Sequence, residues 1–250
     1  MDVRRQEPER HWHQGEVLGF DLETTGVDCQ FDVPVSFALV SVVGGVVVAR
    51  DTGLVDPGRP IPVAATRVHG ITTERARSEG RSLPLAVAML SRALCDASER
   101  RVPVVGMKLD YDLTILDVQC RAADGRGLVE RGFCAPVLDA LVLDRHFDRY
   151  RKGRRTLTDL CAHYGVTITN AHDAAADAEA TIKVLTAMCC RFPELRQADP
   201  EELHRSQVAW HREWTESLDA WRRAKGMPPL ERRDYDWPLP AEPPPIAAAG

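Results

Sequence analysis

Apolar and polar positions alternate along Val17 to Gly26, with Leu18, Phe20 and Leu22 on one side of an extended chain and Asp21 and Glu23 on the other. The pattern predicts a strand with an acidic face. Residues two apart on a strand lie about 6.6 Å from each other, so the two carboxylates would stand side by side. Val35–Val43 and Val46–Asp51 are β-branched runs joined by Gly44-Gly45, a strong hairpin signal. Three antiparallel strands are therefore expected to open the domain. A loop rich in proline and glycine follows from Asp56 to Pro62, then Val68-His69-Gly70-Ile71-Thr72 and a turn capped by Thr73. Leu83, Val87, Leu90 and Leu94 recur at helical spacing and predict a helix over Leu83–Leu94.

Further along, Arg101–Gly106 reads as a short buried strand and Tyr111–Ala123 as a helix. Asp112 then falls where strand gives way to helix, the place at which open α/β sheets display functional groups. Pro136–Asp139 predicts another strand, running into Leu141–Phe147. Leu157–Tyr164 reads as a short helix ended by Gly165, and Asp173–Cys190 as a longer helix rich in alanine. A hairpin sheet followed by alternating helices and strands argues for an α/β fold, a mixed sheet with helices on its faces.

Beyond Phe192 the pattern changes. Pro193 and Pro200 interrupt the chain, and Glu201–Lys225 predicts a separate helix whose apolar stripe is Leu203, Trp210, Trp214, Leu218 and Trp221. Packing of that stripe on its own domain is expected; docking onto a polymerase or a second copy is the alternative. Prolines at 228, 229, 238, 240 and 243 to 245 then predict the end of ordered structure, apart from an anchor at Trp237. The chain divides into an arm over 1–14, a main domain over 15–192, an amphipathic helix over 193–227 and a proline-rich tail over 228–250.

Size and charge narrow the function. A chain of 250 residues holds one sizeable core and an appendage. Its net charge of −5 gives no global basic field, which argues against a sequence-independent DNA coat but leaves open an enzyme that handles phosphates with local charge and metal. Basic residues do gather at Arg145, Arg149, Arg151, Lys152, Arg154 and Arg155 around Tyr150, either to guide a polynucleotide or as a solvated loop. Seven cysteines, an odd number with no Cys-x-x-Cys pair, speak against a disulfide framework and a zinc knuckle. The charged amino terminus does not read as a signal peptide and no apolar run reaches the ~18 residues of a membrane span. A reducing, cytoplasmic setting is expected.

Adjacent carboxylates such as Asp21 and Glu23 repel, and the strain is relieved by protonation or by a hard divalent cation; a merely wet acidic face is the other reading. A second signal is His172-Asp173-Ala174-Ala175-Ala176-Asp177 at the start of the alanine-rich helix. Asp177 shares a helical face with Ala174, Thr181 and Val184, so it points inward, where an acid calls for a cationic neighbour. The small alanines let that helix approach the sheet. His172, at the helix entrance, can exchange protons near neutral pH.

Phe20-Asp21-Leu22-Glu23-Thr24-Thr25-Gly26, Tyr111-Asp112-Leu113-x-x-Leu116 and His172-x-x-x-x-Asp177, in that order, resemble the Asp-Glu-Asp-Asp-His (DEDDh) group of 3′→5′ exonucleases. That group includes the proofreading subunit of bacterial replicative polymerase, and its fold is similar to ribonuclease H. His69-Gly70-Ile71-Thr72 also looks like a segment of the group, and the likeness covers about Glu16 to Arg191. The resemblance implies that Asp21, Glu23, Asp112 and Asp177 hold two ions, Mg²⁺ or Mn²⁺, with His172 as general base. It further implies substrate contacts from Leu22, Thr24, Thr25, Gly26, His69 and Lys108. Where the family has a His-Asn pair before its second motif this chain has Met107 and Lys108, which leaves Asp110 as a rival to Asp112; Tyr111 before Asp112 and Leu113 and Leu116 after it favour Asp112. The implied reaction is hydrolysis from a free 3′ end, releasing nucleoside 5′-monophosphates, with DNA the favoured substrate. A non-catalytic binding module of the same fold and an enzyme for short oligoribonucleotides are the competing readings.

Overall fold

A computed structural model describes residues 11–169 and 172–242. Most of the amino-terminal arm and the last part of the tail therefore lie outside the described residues. The hairpin signal is realised: β1 (Glu16–Thr24), β2 (Pro34–Val43) and β3 (Val46–Asp56) form an antiparallel meander. Gly44 and Gly45 turn it with φ of 58° and 80°, values that a side chain would resist. The edge of β3 pairs with the two-residue β4 (Arg81–Ser82). On the other side β1 pairs in parallel with β5 (Val104–Gly106), and β5 with β6 (Val137–Asp139). The order is β4-β3-β2-β1-β5-β6, one mixed sheet of six strands, the ribonuclease H-like architecture expected from the sequence.

Each face of β1 feeds a different core. Leu18, Phe20 and Leu22 pack with α3 (Leu83–Glu99) and α4 (Leu109–Asp124) on one side of the sheet. Val17 belongs to the other side, where α7 (Ala174–Arg191) lies across β1, β2 and β5. Small residues bring α7 close, as expected: a Cβ added at Gly19 would meet Ile182 Cδ1 at 2.9 Å and Ala178 Cβ at 3.4 Å. Asp21 and Glu23 thus leave the sheet on the α7 side.

Several elements differ from expectation. Residues 63–79, between the loop and the helix read from Leu83, hold two seven-residue helices, α1 (Val63–His69) and α2 (Thr73–Glu79), the second capped by Thr72 rather than Thr73. Chain after β6 turns at once into α5 (Ala140–Phe147), because the Asp139 carboxylate accepts from Leu141 N and Val142 N as an N-cap. α6 (Leu157–Tyr164) has the predicted bounds and the Gly165 stop. After α8 (Pro193–Gln197), α9 (Pro200–Ala224) matches the predicted helix, yet its buried positions are Leu203, Gln207, His211, Thr215 and Asp219, and Trp221 is exposed. That polar stripe faces backbone. Gln207 donates to Val137 O and accepts from Asp139 N, both at 2.9 Å, sealing the outer edge of β6 in place of a further strand. His211 pairs with Asp234 O at 2.9 Å and Asp219 accepts from Leu230 N at 2.8 Å, which lays residues 228–240 along the body and buries Trp237.

Candidate active site

The carboxylates singled out in the sequence come from three elements that meet at the carboxyl end of β1. Asp21 and Glu23 stand on the strand itself, Asp112 on the first turn of α4, and Asp177 on the first turn of α7. The turn from β5 into α4 is tight: a Cβ on Gly106 would lie 2.7 Å from Phe20 O and 2.5 Å from Leu109 Cδ2. Only glycine brings α4, and Asp112 with it, so near β1. Lys108, in the left-handed region at φ 60°, completes the turn.

Electrostatics shows the four acids as one cluster. Burial pushes Asp21 well above the usual carboxylate range, and the negative charges of Asp112, Asp177 and Glu23 push it further. Asp112, itself buried, is raised by burial and then by Asp110 and Glu23. Glu23 is pushed up to about 8 by burial, with Asp177 and Asp173 adding to it. Asp177 moves the same way through burial, opposed by the His172 backbone N–H, which donates to its Oδ2 at 3.3 Å. The second oxygen of Asp177, Oδ1, is buried without a partner. Such an atom is costly to keep dry and unpaired. One ligand atom each from Glu23, His172 and Asp177 lie within 4.8 Å of one another, a spacing at which a single ion can be shared.

Asp110 turns elsewhere. It is raised to about 7 by burial and by Asp139, with Lys108, the Tyr111 backbone N–H and Arg145 opposing, and it reaches the cluster only through its charge on Asp112. It lines a cavity of about 400 Å³ together with Lys108, Tyr111 and residues of the 233–240 segment. Asp112, not Asp110, joins the cluster.

Substrate-contact candidates divide as well. Thr24 Oγ1 donates to Gly26 O at 2.7 Å and lies 3.1 Å from Tyr111 Oη, which also donates to Gly26 O. Thr25 Oγ1 donates to Asp32 Oδ1 at 2.6 Å, and a Cβ on Gly26 would collide with that same carboxylate. Both hydroxyls are spent on the turn, so what 24–26 can offer a ligand is backbone. Leu22 is turned away from the acids into the core with α3 and α4. Lys108 is exposed, its Nζ 5.4 Å from the centre of the Tyr111 ring. His69 Nδ1 accepts from Ile71 N at 3.0 Å, while Nε2 is buried without a partner. With His172 and Arg75 it lines a cavity of about 230 Å³ beside the cluster, and burial holds its pKa below the usual value.

Residues 18–185 match the family model described as RNase_T, exonuclease. The chain belongs to that exonuclease family. The resemblance to exonucleases of this group is borne out by the family match and by relatives from DNA polymerase III. The chain is 30% identical to a PolC-type DNA polymerase III of Lacticaseibacillus paracasei over 74% of this chain and 12% of that protein. To a DNA polymerase III subunit epsilon-like protein of Rhodobacter capsulatus it is 33% identical over 69% of this chain and 24% of the relative. The chain therefore spans a quarter or less of either. Among solved structures, E. coli Exonuclease I in complex with a dA16 oligonucleotide superposes with a TM-score of 0.63 at 20% identity, covering 83% of this chain and 45% of that one. This likeness is one of fold.

Sequence reasoning missed the residue that holds the exonuclease site together from behind. Asp139, 1% exposed, accepts from Leu109 N at 2.8 Å and Lys108 N at 3.1 Å, so it anchors the N-terminus of α4 as well as capping α5. Gln207 on α9 fixes the backbone of Asp139 in turn. The signal was present as an aspartate directly after an apolar run, but nothing local in sequence tells an N-cap that serves two helices from one that serves one.

Proposed function

We propose that this exonuclease works in the 3′→5′ direction on DNA, uses two divalent ions, and releases nucleoside 5′-monophosphates. One observation carries the reading: Asp21, Glu23, Asp112 and Asp177, far apart in the chain, share a single acidic cluster with His172 at its mouth. The donor set fits hard cations. Every member is held above its ordinary pKa by burial, Asp21, Glu23 and Asp112 also by other members, and Asp177 Oδ1 is left dry and unpaired, so positive charge placed there would relieve both penalties. All-oxygen donors suit Mg²⁺ or Mn²⁺. Asp21, Glu23, Asp112 and Asp177 would hold the ions, which when bound supply an activated water and offset charge on the phosphate.

This chain's own groups supply the rest. His172 is exposed and lies at the cluster's edge, placed to take the proton from the attacking water. Lys108, exposed on the α4 side, would meet a phosphate of the strand, and His69, which lines a cavity with His172, would contact the terminal nucleotide. DNA is favoured by the polymerase III relatives.

End-labelled single-stranded DNA, duplex DNA and short RNA digested side by side test polarity and sugar together. Products shortened from the 3′ end, activity lost with chelator and restored by Mn²⁺, and loss in Asp21→Ala and Asp177→Ala with the fold retained are expected. Full activity in the chelated protein would remove the metal mechanism.

A further inference from the structure

The basic run between Arg145 and Arg155 separates into two groups in space. Arg151 and Arg155 are consumed by one buried acid: Arg151 Nη2 lies 3.0 Å from Asp144 Oδ2, Arg155 pairs with the same oxygen, and Tyr164 donates to Asp144 Oδ1 at 2.7 Å. These fix the loop after α5. Arg145 is different. It makes no hydrogen bond and no ion pair among the described residues, and its guanidinium carbon sits 3.3 Å from the centre of the Trp214 ring of α9. Beside it His146 stacks on Trp210 with ring centres 3.6 Å apart. These side chains and the exposed Arg149 line a groove of about 320 Å³ between α5 and α9. Glu213 is the one acid among the lining residues, while His146 and His211 are held towards neutrality by burial.

Stacked on an aromatic plate and given no acceptor by its own chain among the described residues, the Arg145 guanidinium is open to an incoming anion. Burial pushes Arg145 down to about 10, opposed first by Asp139 and Asp110, at the root and on the first turn of α4, and then by Asp144. Asp139 caps α5 and also anchors the N-terminus of α4, so Arg145 lies close to the turn from which α4 carries Asp112. We propose that the groove is a second nucleic-acid subsite, where the single strand upstream of the hydrolysed 3′ end lies with a phosphate on Arg145 and bases against Trp210 and Trp214. Stacking on aromatic planes beside a cation is sequence-tolerant, which an exonuclease that consumes any sequence requires. The subsite extends the nuclease reading above and rests on it.

Arg145→Gln and, on the exposed rim, Arg149→Gln are assayed with Mn²⁺ on two substrates. One is a single strand of about a dozen nucleotides, long enough to reach the groove; the other is the p-nitrophenyl ester of thymidine 5′-monophosphate, which fills only the acidic site. For Arg145→Gln the expected result is a KM for the strand raised about tenfold, ester hydrolysis within about twofold of the parent, and a log–log salt slope of strand binding shallower by about 0.7. An unchanged KM and slope, as would follow if the groove took an acidic protein instead, overturns the subsite; so does an equal loss on both substrates. If the parent cleaves neither substrate the nuclease reading fails by itself, and fluorescence anisotropy of the labelled strand with parent and Arg145→Gln still decides the groove.

Discussion

Replacing Glu23 by glutamine isolates the electrostatic cost of the metal-free site. An unfolded glutamate ionises near 4.5, whereas in the folded chain burial and then Asp177 and Asp173 hold Glu23 at about 8. As pH rises between these values the unfolded state gives up its proton and the folded state keeps it, so stability falls through that window and the penalty is complete above about pH 8. Each pH unit is worth about 1.4 kcal/mol, which puts the full cost at about 5 kcal/mol. Solvent reaches part of the side chain and screens the field, leaving about 2 kcal/mol as the expected gain on removing the charge. For a chain of this size that corresponds to roughly 4–8 °C in Tm. Urea and thermal melts in chelator at about pH 5 and about pH 8.5 read it out: Glu23→Gln should gain little at the first and about 2 kcal/mol at the second. Adding Mn²⁺ should then stabilise the parent more than the variant, since the variant would lack one of the proposed ligands. An equal gain at both pH values, or none at either, would refute the argument that the acids strain the empty cluster.

Two further outcomes follow from the same geometry. Gln207→Leu keeps the volume of a fully buried side chain but strips partners from Asp139 N and Val137 O, which should cost about 2–4 kcal/mol and appear as a lower urea midpoint at unchanged slope; a loss under about 0.5 kcal/mol would show that α9 does not seal β6 through this residue. His172→Ala should lower kcat by about 10²- to 10⁴-fold while leaving Mn²⁺-induced stabilisation nearly intact, because the acids remain; a variant within a few-fold of the parent places the base elsewhere.

How far the sequence could be read depended on whether a residue faces side chains or backbone. The acidic strand was legible because period-two alternation separates Asp21 and Glu23 from Phe20 and Leu22, and the structure divides these residues between the two faces of the sheet in the same way. The alanines around Asp177 and the hairpin glycines were legible for a similar reason, each being the residue type that a close approach or a positive φ demands. Asp110 against Asp112 was not settled by pattern alone, since both lie on the first turn of α4; their surroundings separate them, one towards Arg145 and the other towards Glu23.

Helix α9 departs from its apolar pattern. The expected packing of its apolar stripe holds for Leu203, which is buried, and for Trp210, which packs on both core clusters, yet the rest of the face it buries carries Gln207, His211, Thr215 and Asp219. An apolar periodicity finds contacts with other side chains. α9 instead satisfies carbonyls and amides of β6 and of the 228–240 segment, and backbone groups have no identity that a sequence pattern could anticipate. The prolines of that segment were read as the end of order apart from an anchor at Trp237; the anchor is there, 4% exposed, but residues 228–240 are held along the body with it. Polar groups at helical spacing on a helix that also carries aromatics are thus informative: the polar row marks the seam with backbone, and the aromatics it displaces, Trp210 and Trp214, are set at the rim beside Arg145. The misreading of α9 and the groove next to it have one physical origin.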